Sequence, residues 1–123
     1  MMNRQELEKY IVENYGVKPE YPWSKHPTFA VFRHESNQKW FAVIMTIDKS
    51  KLGIKEEGRM DVVNVKCVPN LAVSTWEQQG IYPAYHMNKE HWLTVALDGS
   101  VLDDNLKFLL ALSFDLTGRK KNV

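Results

Sequence analysis

A single cysteine, Cys67, stands in this chain of 123 residues. No internal disulfide is available, so the fold rests on packing and suits a reducing compartment. No apolar run approaches the roughly 20 residues that cross a bilayer. No N-terminal apolar segment precedes a small-residue cleavage site, so the expected setting is the cytoplasm, with no membrane partner. Charge of one sign is also missing: the formal net charge is +1. That is unlike a domain built mainly to coat a polyanion, although a local basic patch is compatible with it. Phosphate-cradling and nucleophile motifs are absent too: there is no G-x-x-x-x-G-K-[ST], G-x-G-x-x-G or G-x-S-x-G, and no C-x-x-C. The paired carboxylates Glu56-Glu57 and Asp103-Asp104 fall in a charged loop and at a helix start. Both places explain them without acid–base chemistry. No catalytic residue, metal site or cofactor is expected.

What is present is ordinary globular composition, 44% hydrophobic and 25% charged, with four Trp, five Tyr and five Phe to supply large buried surfaces. The length matches one compact domain, residues 1–123. Asn3 and Glu6 have capping-box spacing. Leu7, Tyr10, Ile11 and Tyr15 then share one helical face, and Gly16 is placed to end the helix. Residues 17–27 hold three prolines and read as an irregular connection. Strands are expected over 28–34 and 39–47, joined by Glu35-Ser36-Asn37-Gln38 as a hairpin. Strict alternation in the second strand puts Phe41, Val43, Met45 and Ile47 on one side and Trp40, Ala42 and Ile44 on the other. Both sides are apolar, which means a strand covered on both faces or one that exposes a patch for a partner.

Residues 48–60 form a loop of mixed charge, and 61–67 form a third strand. A second helix opens on Pro69, continues through Leu71, Ala72, Trp76 and Gln79, and closes at Gly80. A strand over 92–97 follows, then the Asp98-Gly99 turn. The last helix starts at Asp103 and has Leu106, Leu109, Leu110, Phe114 and Thr117 as its buried stripe. The order α-β-β-β-α-β-β-α predicts an α+β domain: an antiparallel sheet with helices mainly on one face.

Polar and aromatic groups concentrate between Tyr82 and Trp92. If Asn88-Lys89 is the whole turn, His86 pairs with His91 across a hairpin, their Cβ atoms roughly 5 Å apart. A zinc site still needs three or four ligands. If the turn runs from Asn88 to His91, Met87 faces Trp92 and the histidine pair disappears. In the plainest reading this segment is a hairpin whose Tyr82, Tyr85 and Trp92 pack on the sheet while Asn88 makes the turn. In the functional reading Lys89 and His91, with Lys66 from the third strand, meet an anionic or planar ligand. Lys66 shares a strand face with Val62 and Asn64, opposite Val63, Val65 and Cys67.

Three blocks give the chain a resemblance to a known family. They are Tyr21-Pro22-Trp23 through Ala30-Val31-Phe32-Arg33-His34 and Lys39-Trp40-Phe41-Ala42; Asp61-Val62-Val63-Asn64-Val65-Lys66-Cys67 with Pro69; and Pro83-Ala84-Tyr85-His86-Met87-Asn88-Lys89 with His91-Trp92 and Leu97-Asp98-Gly99. Together with Ser113-Phe114 they make the chain similar to the MmcQ/YjbR family over nearly its whole length. Many members carry an aspartate after the lysine–cysteine pair; here Val68 precedes Pro69, which removes a helix cap. The resemblance implies a fold similar to CyaY-like proteins and type III secretion chaperones. It also implies duplex DNA binding by a double-wing arrangement of hairpins, with no catalytic residues to carry over. Three functions follow as expectations. One is a DNA-binding module with contacts at Arg33, Lys39, Lys66, His86, Asn88, Lys89, His91, Trp92 and the tail Arg119-Lys120-Lys121. The second is a domain that binds itself or another protein, and the third is a small-ligand site on Lys66, His86, Lys89 and Trp92.

Overall fold

In the computed structural model, which describes residues 2–75 and 78–118, the elements follow the expected order. They are α1 (Arg4–Tyr15), β1 (Ala30–Arg33), β2 (Trp40–Asp48), β3 (Arg59–Lys66), α2 (Pro69–Thr75), β4 (Ile81–Pro83), β5 (Trp92–Ala96) and α3 (Asp103–Gly118), with a short 3-10 turn at Lys49–Leu52 after β2. Five strands form one antiparallel sheet in the order β1-β2-β3-β5-β4. The expected Trp76 of the second helix lies outside the described residues, as does the basic tail.

The start of α1 follows from its first residues. The Asn3 side chain accepts from the Glu6 amide while the Glu6 carboxylate accepts from the Asn3 amide, so two free donors of the first turn are satisfied. Gly16 ends the helix with φ of 68°, a conformation glycine adopts without a Cβ penalty. Leu7 and Ile11 are fully buried by this helix. Each such side chain contributes about 1.5–3 kcal/mol through apolar burial.

The three helices cover one face of the sheet. Their Leu7, Ile11, Ala72, Leu106, Leu109 and Leu110 pack with Ala30, Phe32, Ile44, Val63, Val65, Leu93 and Val95. Loops cover the opposite face. There Val31, Val43, Met45, Ile47, Met60 and Val62 are buried under Trp23 and Phe29 from the 17–29 connection, Leu52 and Ile54 from the charged loop, and Tyr85 and Met87 from the β4–β5 connection. β2 is therefore covered on both faces within one chain, and the exposed-patch alternative for it does not hold. The charged loop pairs its own charges near the surface, Lys49 with Glu56 at 3.2 Å and Arg59 with Asp48 at 3.5 Å.

Alternation in β2 departs from expectation at its start. The β1–β2 register pairs Phe32 with Ala42 but Arg33 with Trp40, leaving Phe41 as an extra residue. This bulge puts Phe41 on the helix-covered face beside Ala42 and Ile44, and sends Trp40 to the loop-covered face with Val43 and Met45. The first two residues of the predicted alternation are thus exchanged. Ser113 of α3, fully buried, bridges β2 and β3 just beyond their last pair, Ala42–Val65: it donates to the Phe41 carbonyl (2.6 Å) and accepts from the Lys66 amide (2.8 Å).

Candidate ligand and nucleic-acid contacts

Five of the eight expected contact residues lie on β3, β5 and the β4–β5 connection at one end of the sheet. Lys66 ends β3 and Trp92 opens β5; they are cross-strand partners. Lys66 alternates with Val62 and Asn64, and Trp92 with Thr94 and Ala96, so both project on the loop-covered face. The exposed His91 precedes Trp92, and its carbonyl accepts from the Cys67 amide at 2.8 Å. Asn88 and Lys89 belong to the turn that delivers Trp92 to the sheet.

That turn overturns both hairpin alternatives: neither His86 with His91 nor Met87 with Trp92 forms a cross-strand pair. β4 pairs with β5 only from Pro83–Leu93 to Ile81–Val95, so residues 84–91 all belong to the connection, and Asn88-Lys89 is not a two-residue turn. Asn88 shapes the end of the connection with its side chain: Oδ1 accepts from the amides of Glu90 (2.8 Å) and His91 (3.2 Å), and its carbonyl accepts from Trp92 (3.0 Å). The left-handed residue is His86, with φ of 60°, and not Asn88. Among the described residues no three His, Cys, Asp or Glu side chains converge to hold a metal ion.

Two further expected contacts, Arg33 and Lys39, reach the same end of the sheet from β1 and the β1–β2 turn. Arg33 leaves β1 toward Glu20, to which both its Nε (3.0 Å) and Nη2 donate. The shared hydrogen bonds hold the Glu20 carboxyl below its usual range and raise the guanidinium further, in a pair that stays exposed to solvent. Lys39 is exposed in the β1–β2 turn. The Lys89 ammonium donates to the Ala84 carbonyl at 3.1 Å, bracing its own loop.

His86 lies beside a different feature. A pocket of about 540 Å³ opens on the loop-covered face. Its floor is Val43 and Met45 of β2 and Asn64 of β3; one wall is Trp23 and Phe29 with Trp40, and the other is Tyr85, His86 and Met87. Asn64 is 1% exposed and donates to the Tyr85 carbonyl (2.9 Å). Its Oδ1 accepts from the buried Thr94 hydroxyl (2.5 Å), which in turn accepts from the Tyr85 amide (2.8 Å). This closed set fixes the second wall over the sheet. Trp23 stands nearly perpendicular to both Trp40 (89°, centroids 5.5 Å apart) and Phe29 (83°, 6.0 Å). Lys25 and His26 complete the lining. Sequence reasoning missed this site apart from His86, although Trp23 and Trp40 both sit in the first family block.

The sole thiol is no nucleophile in this setting. Cys67 is buried on the helix-covered face, and burial pushes its ionisation up to about 11.

Known proteins share this sequence and architecture. The chain is 38% identical over 117 residues to the uncharacterised protein YyaQ of Bacillus subtilis strain 168, covering 95% of this chain and 99% of that one. It is 37% identical over 62 residues to the uncharacterised protein YjbR of Escherichia coli K12, covering half of each chain (50% and 52%). A crystal structure of a Pseudomonas syringae protein superposes with a TM-score of 0.93 at 47% identity, covering 94% of this chain and 99% of that one. Deinococcus radiodurans protein DR2400 shares the fold with a TM-score of 0.74 at 24% identity, over 100% of this chain and 83% of that one. The YjbR family model matches residues 12–116, and with the full-length likeness to YyaQ this places the chain in the YjbR family.

Proposed function

We propose that this protein is a non-catalytic DNA-binding module that meets nucleic acid with the sheet end formed by Lys66, Trp92 and the β4–β5 turn. The observation that carries this reading is the cross-strand pair Lys66–Trp92 on the loop-covered face, flanked by the exposed His91 and Lys89. No ion pair among the described residues engages Lys39, Lys66 or Lys89. Ammonium groups suit phosphate oxygens, and an accessible indole suits a base face. Arg33 is left out of the proposed contacts because its charge is already balanced by Glu20. The non-catalytic part of the reading is supported by the one thiol, which is buried and held neutral.

Fluorescence anisotropy with duplex and single-stranded oligonucleotides tests the proposal. Neutralising about three phosphates lowers affinity roughly 40-fold between about 50 and about 200 mM salt. Preference for single strands would place Trp92 against bases, and equal affinity would leave the lysines as the main contacts. Absence of binding at micromolar protein in low salt overturns the reading.

A further inference from the structure

We infer that the pocket on the loop-covered face binds a small planar aromatic anion, its ring system buried and its charged group at the mouth. Size, lining and charge carry the inference together. A volume of about 540 Å³ lies in the range of pockets that enclose small organic ligands, about 300–1,000 Å³. The perpendicular rings of Trp23 and Trp40, with Phe29 beside them, present edges and a face at one corner. A flat aromatic guest completes such a corner, because edge-to-face and offset arrangements are the favoured ones.

Charge fixes the orientation. Lys25, His26 and His86 line the pocket, all exposed, and no carboxylate does. No ion pair among the described residues engages Lys25. At the floor, Asn64 has its amide oxygen and nitrogen occupied by Thr94 and Tyr85. Polar recognition therefore falls to the mouth, and the interior takes the apolar part. His86 adds a second kind of observation. Its left-handed backbone, φ of 60°, costs a side-chain-bearing residue roughly 1–2 kcal/mol that glycine would not incur. An imidazole is carried at this point of the wall against a local penalty, as strained residues at binding sites often are.

The inference does not depend on DNA binding, since Lys66, Trp92, Lys89 and His91 are not in the lining. Calorimetric titration and thermal unfolding with 2-naphthoate, its neutral amide 2-naphthamide, and adenosine 5′-monophosphate test it. Saturable binding is expected for one or both anions, with an unfolding temperature that rises with ligand concentration. The neutral amide should bind at least ~10-fold more weakly than the acid. Binding by the nucleotide alone assigns the anion as a phosphate; binding by naphthoate alone assigns a carboxylate. K25E, at an exposed position, should lower anion affinity about tenfold and leave the unfolding temperature unchanged. His86→Gly should raise the unfolding temperature while weakening binding, opposite directions that a purely structural role for the imidazole does not give. The proposal is overturned if neither anion binds at millimolar concentration, if the amide binds as well as the acid, or if K25E and His86→Gly leave affinity intact.

Discussion

The imidazole Nε2 of His34 lies 2.8 Å from the hydroxyl of Thr117, joining the end of β1 to the last turn of α3. The Thr117 hydroxyl donates to the Ser113 carbonyl (2.8 Å), so the ring nitrogen is the donor in this bond. Phe114 and Phe41 pack against the ring at 4.2 and 5.2 Å. Desolvation there lowers the His34 pKa, and the Phe114 carbonyl opposes only part of that fall. The sign follows: an unfolded histidine takes up a proton near about pH 6.5, while the folded one resists it. Stability is complete above that value and erodes as pH falls toward the folded pKa. Unfolding temperatures at about pH 7.5 and about pH 5.5 should differ, and His34→Phe should flatten the difference.

The same ring limits Gly118. A Cβ there would come within 2.7 Å of His34 Cε1, and the ring is held by Thr117 and two aromatics. Gly118→Ala should destabilise by about 1–3 kcal/mol as an overpacking change, seen as a lower urea midpoint with unchanged slope.

Ser113→Ala should cost about 1–3 kcal/mol, because the Lys66 amide and the Phe41 carbonyl both lose their partner away from water. Chemical denaturation measures it. A loss within error would mean that the two strands close onto each other without the hydroxyl.

Asn64 and Thr94 act as one unit with the Tyr85 backbone. Asn64→Ala and Thr94→Val should each destabilise by about 1–3 kcal/mol, and the double variant should lose less than the sum. Faster amide exchange over residues 84–87 would locate the loss in the pocket wall.

Lys66→Glu with Lys89→Glu should lower DNA affinity at least ~10-fold and reduce the salt slope, whereas Arg33→Ala should change both much less, because Glu20 already balances that cation. Equal losses in the two variants would refute the surface drawn above. Cys67 provides an independent check on the buried thiol: it should resist alkylation in the native protein near neutral pH and react once unfolded.

Much of the fold was legible because local signals agreed. The Asn3–Glu6 box, Gly16, Pro69 and the stripe Leu106, Leu109, Leu110 each mark an element where it occurs. The site was less legible for physical reasons. Trp23, Lys25, His26 and Phe29 belong to a proline-rich connection without period, so nothing in their spacing tells which sheet face they cover. Ser113 reads as a polar interruption in a helical stripe until the strand ends it bridges are in view. Lys66 was the clearer case: alternation alone put it on the face of Val62 and Asn64, where it stands beside Trp92.

The bulge at Phe41 has a consequence for how this chain tolerates changes in length. Residues on either side of Phe41 obey two separate parities, and Phe41 is the spare residue between them. Removing it would restore one continuous alternation, with Trp40 still on the loop-covered face and Ala42 still toward the helices. The protein would lose a buried ring and gain a cavity, but no strand would be turned over. Removing Ile44, three positions on, would invert one side of β2 against the other. Where β2 begins, the strand thus contains an expansion joint, a point at which losing one residue costs its own buried ring but leaves every other side chain of both cores on its own side.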